Sequence, residues 1–361
     1  MPRNDNEKWQ MDLEEYVRQG EPEQSEKSTA WKTAIGLQDV DGLKTSEYLL
    51  GTAKEHIEGR IDIKTAQKRI QSYYEERQTR TEIEEGTKEA DIVSARITEL
   101  LGERTFQFSP AEWKTIHKRL FKDIFPHAGE YRTYNITKSE WVLNGETVLY
   151  ASADSIRDTL DYDFGQEKGF SYEGLSAGDA VKHIAKFTSG IWQIHPFCEG
   201  NTRSTAVFII KYLKTLGLSV NNEIFAENSW YFRNSLVRAN YNDLRKGISA
   251  TTIYLERFFE NLLMGYQNEL KNRLIHVDYK EQSEVQSATK NSSKCNNCTL
   301  EELAILKELL KNPSITQKEL AGIVGRSERT IKTRTVEMQE KGLIRRENGK
   351  RNGRWEILIK P

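Results

Sequence analysis

Residues Ile194 to Phe208, reading IHPFCEGNTRSTAVF, constrain this chain more than any other stretch. Upstream, Val181, Ile184, Thr188, Ile191 and Trp192 recur at i, i+3, i+7, i+10 and i+11, one face of an amphipathic helix. Downstream, Ala206, Val207, Ile209, Ile210 and Leu213 form a second apolar pattern. Pro196 ends the first helix, because proline disfavours the helical region for the residue before it. Two core-facing helices therefore flank a short loop that holds a histidine, a carboxylate, a glycine, an amide and an arginine.

Those residue types suit phosphate chemistry. Asn201 or Thr202 can cap the second helix. The free N–H groups of Gly200, Asn201, Thr202 and Arg203 then face the loop, and a helix N-terminus beside a glycine favours an anion. Arg203 adds a fork that grips phosphate oxygens with two bonds. A lone Glu199 suits Mg²⁺, which takes one or two protein carboxylates and fills its shell with phosphates and water. His195 can take a proton from an incoming hydroxyl. These are the parts of a phosphoryl- or nucleotidyl-transfer site, where positioning and charge neutralisation supply most of the catalysis.

The run His195-Pro196-Phe197-Cys198-Glu199-Gly200-Asn201-Thr202-Arg203 resembles the signature of the Fic (Fic/Doc) family, His-Pro-Phe-x-Asp/Glu-Gly-Asn-Gly-Arg. The resemblance implies a mainly α fold, a Fic-type helical core with a β-hairpin flap, and transfer of AMP from ATP to a Ser, Thr or Tyr hydroxyl of a target protein, the chain itself included. It makes His195 the general base and Phe197 the anchor of the loop. Glu199 would hold Mg²⁺, Gly200 would admit backbone amides to the phosphates, Asn201 would orient the α-phosphate and Arg203 would bind the β-phosphate. His195, Asn201 and Arg203 form the catalytic set. Two positions depart from the family: Thr202 replaces the usual glycine, and Ala206 stands where many members carry a second arginine. Thr202 keeps the N–H but adds bulk against the phosphates, and Ala206 weakens the grip on the terminal phosphate, so the same site could instead transfer phosphate or another nucleoside monophosphate.

Further matches flank the motif. Thr81-Glu82-Ile83-Glu84-Glu85-Gly86 fits the family's inhibitory pattern, Ser/Thr-x-x-x-Glu-Gly/Asn, so Thr81, Glu85 and Gly86 mark an inhibitory helix; the family's partner arginine is Ala206 here, which leaves Arg203 or the phosphate space for Glu85 to engage. Removal of AMP, which in the family depends on that glutamate, is a further reading. Phe125 to Arg132 resembles the family segment around Ala-Gly-x-Tyr/Trp-Arg and reads as structural. Trp141-Val142-Leu143, Asn144-Gly145 and Thr147-Val148-Leu149-Tyr150 give a hairpin signal; the resemblance makes this the flap, with Val142, Leu143, Val148 and Leu149 clamping the target by strand addition. Tyr231 and Asn234, on a helix similar to the family's helix near the base, are candidates for the adenine pocket. Self-association into a homodimer is a further expectation from the family.

The 361 residues suffice for two or three domains. Residues 1–90 read as a polar arm, with Trp9, Tyr16 and Trp31 as contacts, followed by helices, one capped by Thr65. Residues 91–270 read as the catalytic domain, 271–298 as a linker and 299–361 as a small winged helix-turn-helix (α+β). That last segment carries 14 Lys/Arg against 9 Asp/Glu from Leu300 onward, a net +5 in a chain of net −1. The split favours a nucleic-acid surface, with Arg329, Lys332 and Thr333 in the major groove and Lys350, Arg351 and Arg354 on phosphates. A regulator that only senses nucleotide is the alternative, although it has no use for a positioned base. The charged N-terminus lacks the apolar run of a signal peptide, no stretch is apolar enough to span a membrane, and three cysteines, with Cys295-x-x-Cys298 in a polar run, fit a reducing cytoplasmic setting.

Overall fold

The structure, a computed structural model, describes residues 13–75, 82–218, 220, 223–279, 298–347 and 353–358. Its elements in chain order are α1 (Pro22–Gly36), α2 (Glu47–Ile57), α3 (Ile63–Glu75), α4 (Glu82–Gly102), α5 (Pro110–Phe121), α6 (Ile156–Gly169), α7 (Ala177–Ile194), α8 (Asn201–Thr215), α9 (Glu223–Ala239), α10 (Ile253–Phe259) and α11 (Asn272–Ile275). A C-terminal unit follows: α12 (Leu300–Lys311), α13 (Gln317–Val324), α14 (Glu328–Glu340), β1 (Ile344–Glu347) and β2 (Arg354–Ile357). The fold is mainly α, with a small winged helix at the C-terminal end. No described helix is long and apolar enough to cross a membrane.

The two helices read around the loop are α7 and α8. Ser176 opens α7 by accepting the Asp179 N–H at 3.1 Å. Every residue of α8 from Asn201 to Leu213 is buried, so α8 is the axle of the core, with α4, α5 and α7 packed round it. Its two lysines are not misplaced charges. Lys211 Nζ donates to the carbonyls of Leu100 and Glu103, at 2.7 and 2.9 Å, and Lys214 Nζ to Leu101 O at 3.0 Å. Both ammonium groups thus satisfy the orphan carbonyls at the C-terminus of α4.

The N-terminal segment is more ordered than a polar arm. Residues 22–41 form α1 and a 3₁₀ turn, Leu37–Asp41. Trp31 is fully buried and donates its Nε1–H to His56 Nδ1 at 3.0 Å. Gly36 lets α1 touch α9: a Cβ there would lie 2.2 Å from Ala226 O. Ser46 caps α2. At α3 it is Asp62, not Thr65, that accepts the free N–H, at 2.7 Å from Thr65 N. α4 runs unbroken through residues 90 and 91, where the sequence suggests a domain boundary. Asp91 on it ties α2 and α3 together, accepting from Ser46 N at 2.8 Å, from Ser46 Oγ, and from Tyr74 Oη at 2.7 Å.

The flap also differs from its reading. Asn144 and Gly145 do take positive φ, 57° and 85°, as a tight hairpin turn needs. The flanking residues do not form strands: Trp141–Leu143 wind into a 3₁₀ turn. Val142, Leu143 and Val148 are buried in the core, and of the four clamp candidates Leu149 alone is exposed. Burying three apolar side chains outweighs their extended pairing. The strands among the described residues are β1 and β2, antiparallel with Ile344 opposite Ile357. The C-terminal unit docks on the ends of α7 and α8 remote from the loop. Ala177 N donates to Cys298 O at 2.7 Å, and a Cβ on Gly217 would sit 2.9 Å from Val324 O.

Burial pushes His56 and His117 down to about 4. Between that value and the ordinary one near ~6.5 the unfolded chain binds protons that the folded chain refuses, so acid favours unfolding. Thermal melting should therefore show the midpoint falling as pH drops from 7 to 5. An unchanged midpoint across that window would show that these histidines titrate in the fold as they do in the unfolded chain.

Candidate active site

The loop between α7 and α8 is held from beneath. Arg132, only 2% exposed, donates Nε to His195 O at 2.8 Å and Nη2 to Ile194 O at 3.2 Å. It also binds Ala151 O and, at 2.7 Å, Tyr134 O. Its own N–H meets Pro196 O at 2.8 Å. One guanidinium thus closes the C-terminus of α7 and fastens both arms of the flap segment to it. His195 takes a left-handed conformation, φ 49°, a cost of roughly 1–2 kcal/mol for a non-glycine that these bonds offset.

The His195 ring is held in one tautomer. Nδ1 lies 3.3 Å from Trp192 O; a carbonyl only accepts, so Nδ1 carries the proton and Nε2 a free lone pair. Nε2 is buried with no hydrogen-bond partner, and the ring packs tilted against Tyr150, centre to centre 4.5 Å. Burial, with Lys138, Arg233 and Arg132 nearby, holds the ring well below the usual histidine range, hence neutral. Tyr150 in turn points its hydroxyl at Glu140, 3.3 Å away, and Glu140 is locked at 2.7 Å to Arg233 of α9.

The remaining motif residues fill distinct places. Phe197 is fully buried, stacked on His117 at 3.8 Å and edge-on to Trp113 at 5.6 Å. Asn201 turns its amide inward, accepting from Phe197 N at 3.0 Å and donating to Phe197 O at 2.7 Å. It therefore braces the loop rather than capping α8. The cap is Gly200, left-handed at φ 70°, so Thr202 does not cap either. The Thr202 hydroxyl accepts the Trp192 indole N–H at 3.0 Å, stitching α8 to α7. Glu199 is exposed at the rim. The described residues contain no group of three or more His, Cys, Asp or Glu able to hold a metal, so a divalent cation here would draw its shell from Glu199, substrate and water. Cys198 is half-buried.

Arg203 is engaged. It is 2% exposed and makes three contacts: Nη2 with Glu89 Oε1 at 2.6 Å, Nη1 with Gln38 Oε1 at 3.0 Å, and Nε within 2.7 Å of Asp41 Oδ2. The last is an ionic contact without hydrogen-bond alignment. The guanidinium also lies over Phe121, 4.8 Å from the ring centre. Carboxylates thus sit where phosphate oxygens were expected. Glu85 is not one of them: it is half exposed, 3.7 Å from Lys88. Glu89, one turn later on α4, takes that place. Gly86 packs towards Leu43, and Thr81 lies outside the described residues.

Comparison with known proteins agrees with this architecture. Residues 107–213 match the Fic/DOC family, and residues 302–345 match the winged helix-turn-helix DNA-binding family. The chain carries a Fic domain. The protein adenylyltransferase VbhT of Bartonella schoenbuchensis is 26% identical over 115 residues, 32% of this chain and 23% of that protein; the match thus spans about a quarter of that curated relative. Among solved structures, the N-terminal Fic domain of a Bartonella effector protein (Bep) from Bartonella sp. AR 15-3 overlaps with a TM-score of 0.41 and 20% identity, covering 50% of this chain and 82% of that one. The N-terminal Fic domain of Bep8 from Bartonella sp. 1-1C gives 0.41 and 18%, covering 52% and 88%.

Other sequence candidates fall outside the Fic loop. Tyr231 is 1% exposed among core residues, and Asn234 donates to Asn272 Oδ1 at 2.7 Å; their helical spacing reflects packing. In the winged helix, Arg329, Lys332, Thr333 and Arg354 are exposed, Lys332 pairing with Glu328 at 2.9 Å. Lys350 and Arg351, like Cys295 and Trp9, lie outside the described residues. Sequence reading missed Gln38, Asp41, Glu89 and His117. Glu89 had one available signal, since it lies four residues after Glu85 and so on the same face of α4.

Gly200 should tolerate no side chain. Its φ is left-handed, and a Cβ would approach Phe121 Cε2 to 2.3 Å. Gly200→Ala is expected to cost at least about 2 kcal/mol in denaturant unfolding, from strain and overpacking together; an unchanged midpoint would mean that the loop relaxes freely.

Proposed function

We propose that the chain is a protein adenylyltransferase, moving AMP from ATP to a Ser, Thr or Tyr hydroxyl of a target protein, and that carboxylates on Arg203 hold it in a restrained state. The observation that carries this reading is His195: a neutral imidazole with its proton on Nδ1, and a buried, unpartnered Nε2, at the C-terminal end of α7. A buried polar atom without a partner is rare and asks for an explanation; a base awaiting a hydroxyl is one. The name of the relative, protein adenylyltransferase, supports the same reaction class.

In the reaction proposed, the target oxygen bonds to the α-phosphorus while the bond from that phosphorus to the bridging oxygen of the β-phosphate breaks. The hydroxyl proton passes to His195 Nε2, and pyrophosphate leaves. The first N–H groups of α8 and the Arg203 guanidinium bear the charge that develops on the phosphates. Glu199 is the carboxylate for Mg²⁺, which when bound would neutralise phosphate charge. Arg203 can serve only after Asp41 and Glu89 let go, so the acidic pair competes with substrate. Ala206 is fully buried and offers no second cation, which favours, as a second reading, a donor whose terminal phosphate needs little grip. The winged helix presents Arg329, Lys332, Thr333 and Arg354 to DNA; the family match supports this use.

Purified chain incubated with Mg²⁺ and α-³²P-ATP should label weakly. Glu89→Ala should label more strongly than wild type or Glu85→Gly, and His195→Ala should abolish label. Absence of label in every version, with other nucleotides and γ-labelled ATP supplied, would refute nucleotidyl transfer. The pH profile gives an independent check on the Glu89→Ala chain. Protonation disables the base, and burial lowers the His195 pKa, so labelling should stay flat from pH 8 to below 6.5. A decline centred near ~6.5, the ordinary histidine value, would contradict a buried neutral base.

A further inference from the structure

His117, on α5, lies outside the signature yet touches its backbone. The Gly129 N–H donates to His117 Nδ1 at 2.9 Å, so Nδ1 is the acceptor nitrogen. The proton therefore sits on Nε2, which lies 2.9 Å from Glu199 O. Both ring nitrogens are spoken for, and the tautomer is fixed. The ring is wedged between Phe197, 3.8 Å away and nearly parallel, and Phe121 at 4.8 Å. The side chain is fully buried and cannot reorient.

This bond has a geometric consequence. In a trans peptide the C=O and the following N–H point in opposite directions. Holding Glu199 O inward on His117 therefore turns the Gly200 N–H outward, away from the aromatic bed and towards the mouth of the loop. Gly200 alone could meet that demand, since its φ of 70° and its contact with Phe121 exclude a side chain. The next N–H groups, of Asn201, Thr202 and Arg203, belong to the first turn of α8, where no intrahelical partner exists.

We propose that His117 is a positioning residue that aims the Gly200 N–H, as the outermost donor of the nest, at a phosphate oxygen of the substrate. It touches no reacting atom and acts through the Glu199–Gly200 peptide. The inference rests on the phosphate-transfer reading of the loop, but its readout is anion binding, so the two stand or fall separately.

The test uses the full ¹⁵N-labelled chain carrying Glu89→Ala, titrated with sodium pyrophosphate and followed at the Gly200 amide by NMR. The amide should shift on titration. His117→Gln, which offers an acceptor and a donor at nearly the spacing of the ring nitrogens, should bind within about threefold of the parent. His117→Leu should bind at least about tenfold more weakly, the scale of losing one hydrogen bond to a charged group. Unshifted resonances of α6 and of the C-terminal end of α4, in the same core but away from the loop, would report that the variant is folded. Should His117→Leu fail to fold, the Gln variant decides alone: parent-like binding with the same Gly200 shift supports the role. A Gly200 amide that does not respond, a folded Leu variant that binds as the parent does, or a folded Gln variant that loses binding would each overturn the assignment. Failure to transfer label from ATP, with the Gly200 shift intact, would remove the adenylyl-transfer reading and leave the anion donor in place.

Discussion

A guanidinium buried to 2% exposure cannot be left unpaired, and the shape of the N-terminal half follows from that constraint on Arg203. A lone buried charge is costly, and removing one partner of a buried ion pair typically costs about 3–5 kcal/mol. Its partners come from two separate places in the chain: Gln38 and Asp41 from the 3₁₀ turn after α1, and Glu89 from α4. These contacts join α8, the axle of the Fic domain, to elements that precede the domain in sequence. The lysines at the other end of α8, on the carbonyls of Leu100, Leu101 and Glu103, fix the far end of α4 to the same helix. α4 is thus pinned along its length. Its acidic side chain at the loop is placed by construction rather than by chance contact.

The same arrangement explains how one site can be both stable and poised. Glu89 and Asp41 supply Arg203 with negative oxygens; in the transfer proposed above phosphate would take their place, so the charge would be satisfied in either state. His195 shows a parallel economy, with its Nδ1–H on a backbone carbonyl, its own carbonyl on Arg132, and only Nε2 unmatched. The aromatic bed of Phe121, His117 and Phe197 holds the backbone while the polar groups wait. At the opposite end of the α7–α8 pair the C-terminal unit is seated on Ala177 and Gly217.

Much of this was legible in the chain. Period 3.6 located α7 and α8, the nine motif residues fall in and just after the loop between them, and the three helices and basic turn of the last segment located the winged helix. What escaped reading depends on tertiary contact. The inhibitory pattern pointed to Glu85, but a helix repeats its face every turn, and packing selected Glu89. Asn144-Gly145 did signal a turn; the strands did not follow, because Val142, Leu143 and Val148 are drawn into the core. Polar composition suggested a loose arm where Trp31 and Gly36 instead let α1 pack closely. Asn201 reads as a cap in one dimension, yet Gly200, able to take positive φ, stands there and leaves the Asn201 amide to brace Phe197.

The central claim is that acidic side chains and substrate phosphates compete for Arg203. Calorimetric titration of Mg²⁺-ATP into wild type and into the Asp41→Asn/Glu89→Gln double variant tests it most directly, because both amides keep the size of the side chain while removing its charge. The account predicts affinity at least about tenfold higher in the double variant, on the scale of about 1.4 kcal/mol of released competition. Equal affinity in the two chains, with both folded, would show that Arg203 does not receive the nucleotide.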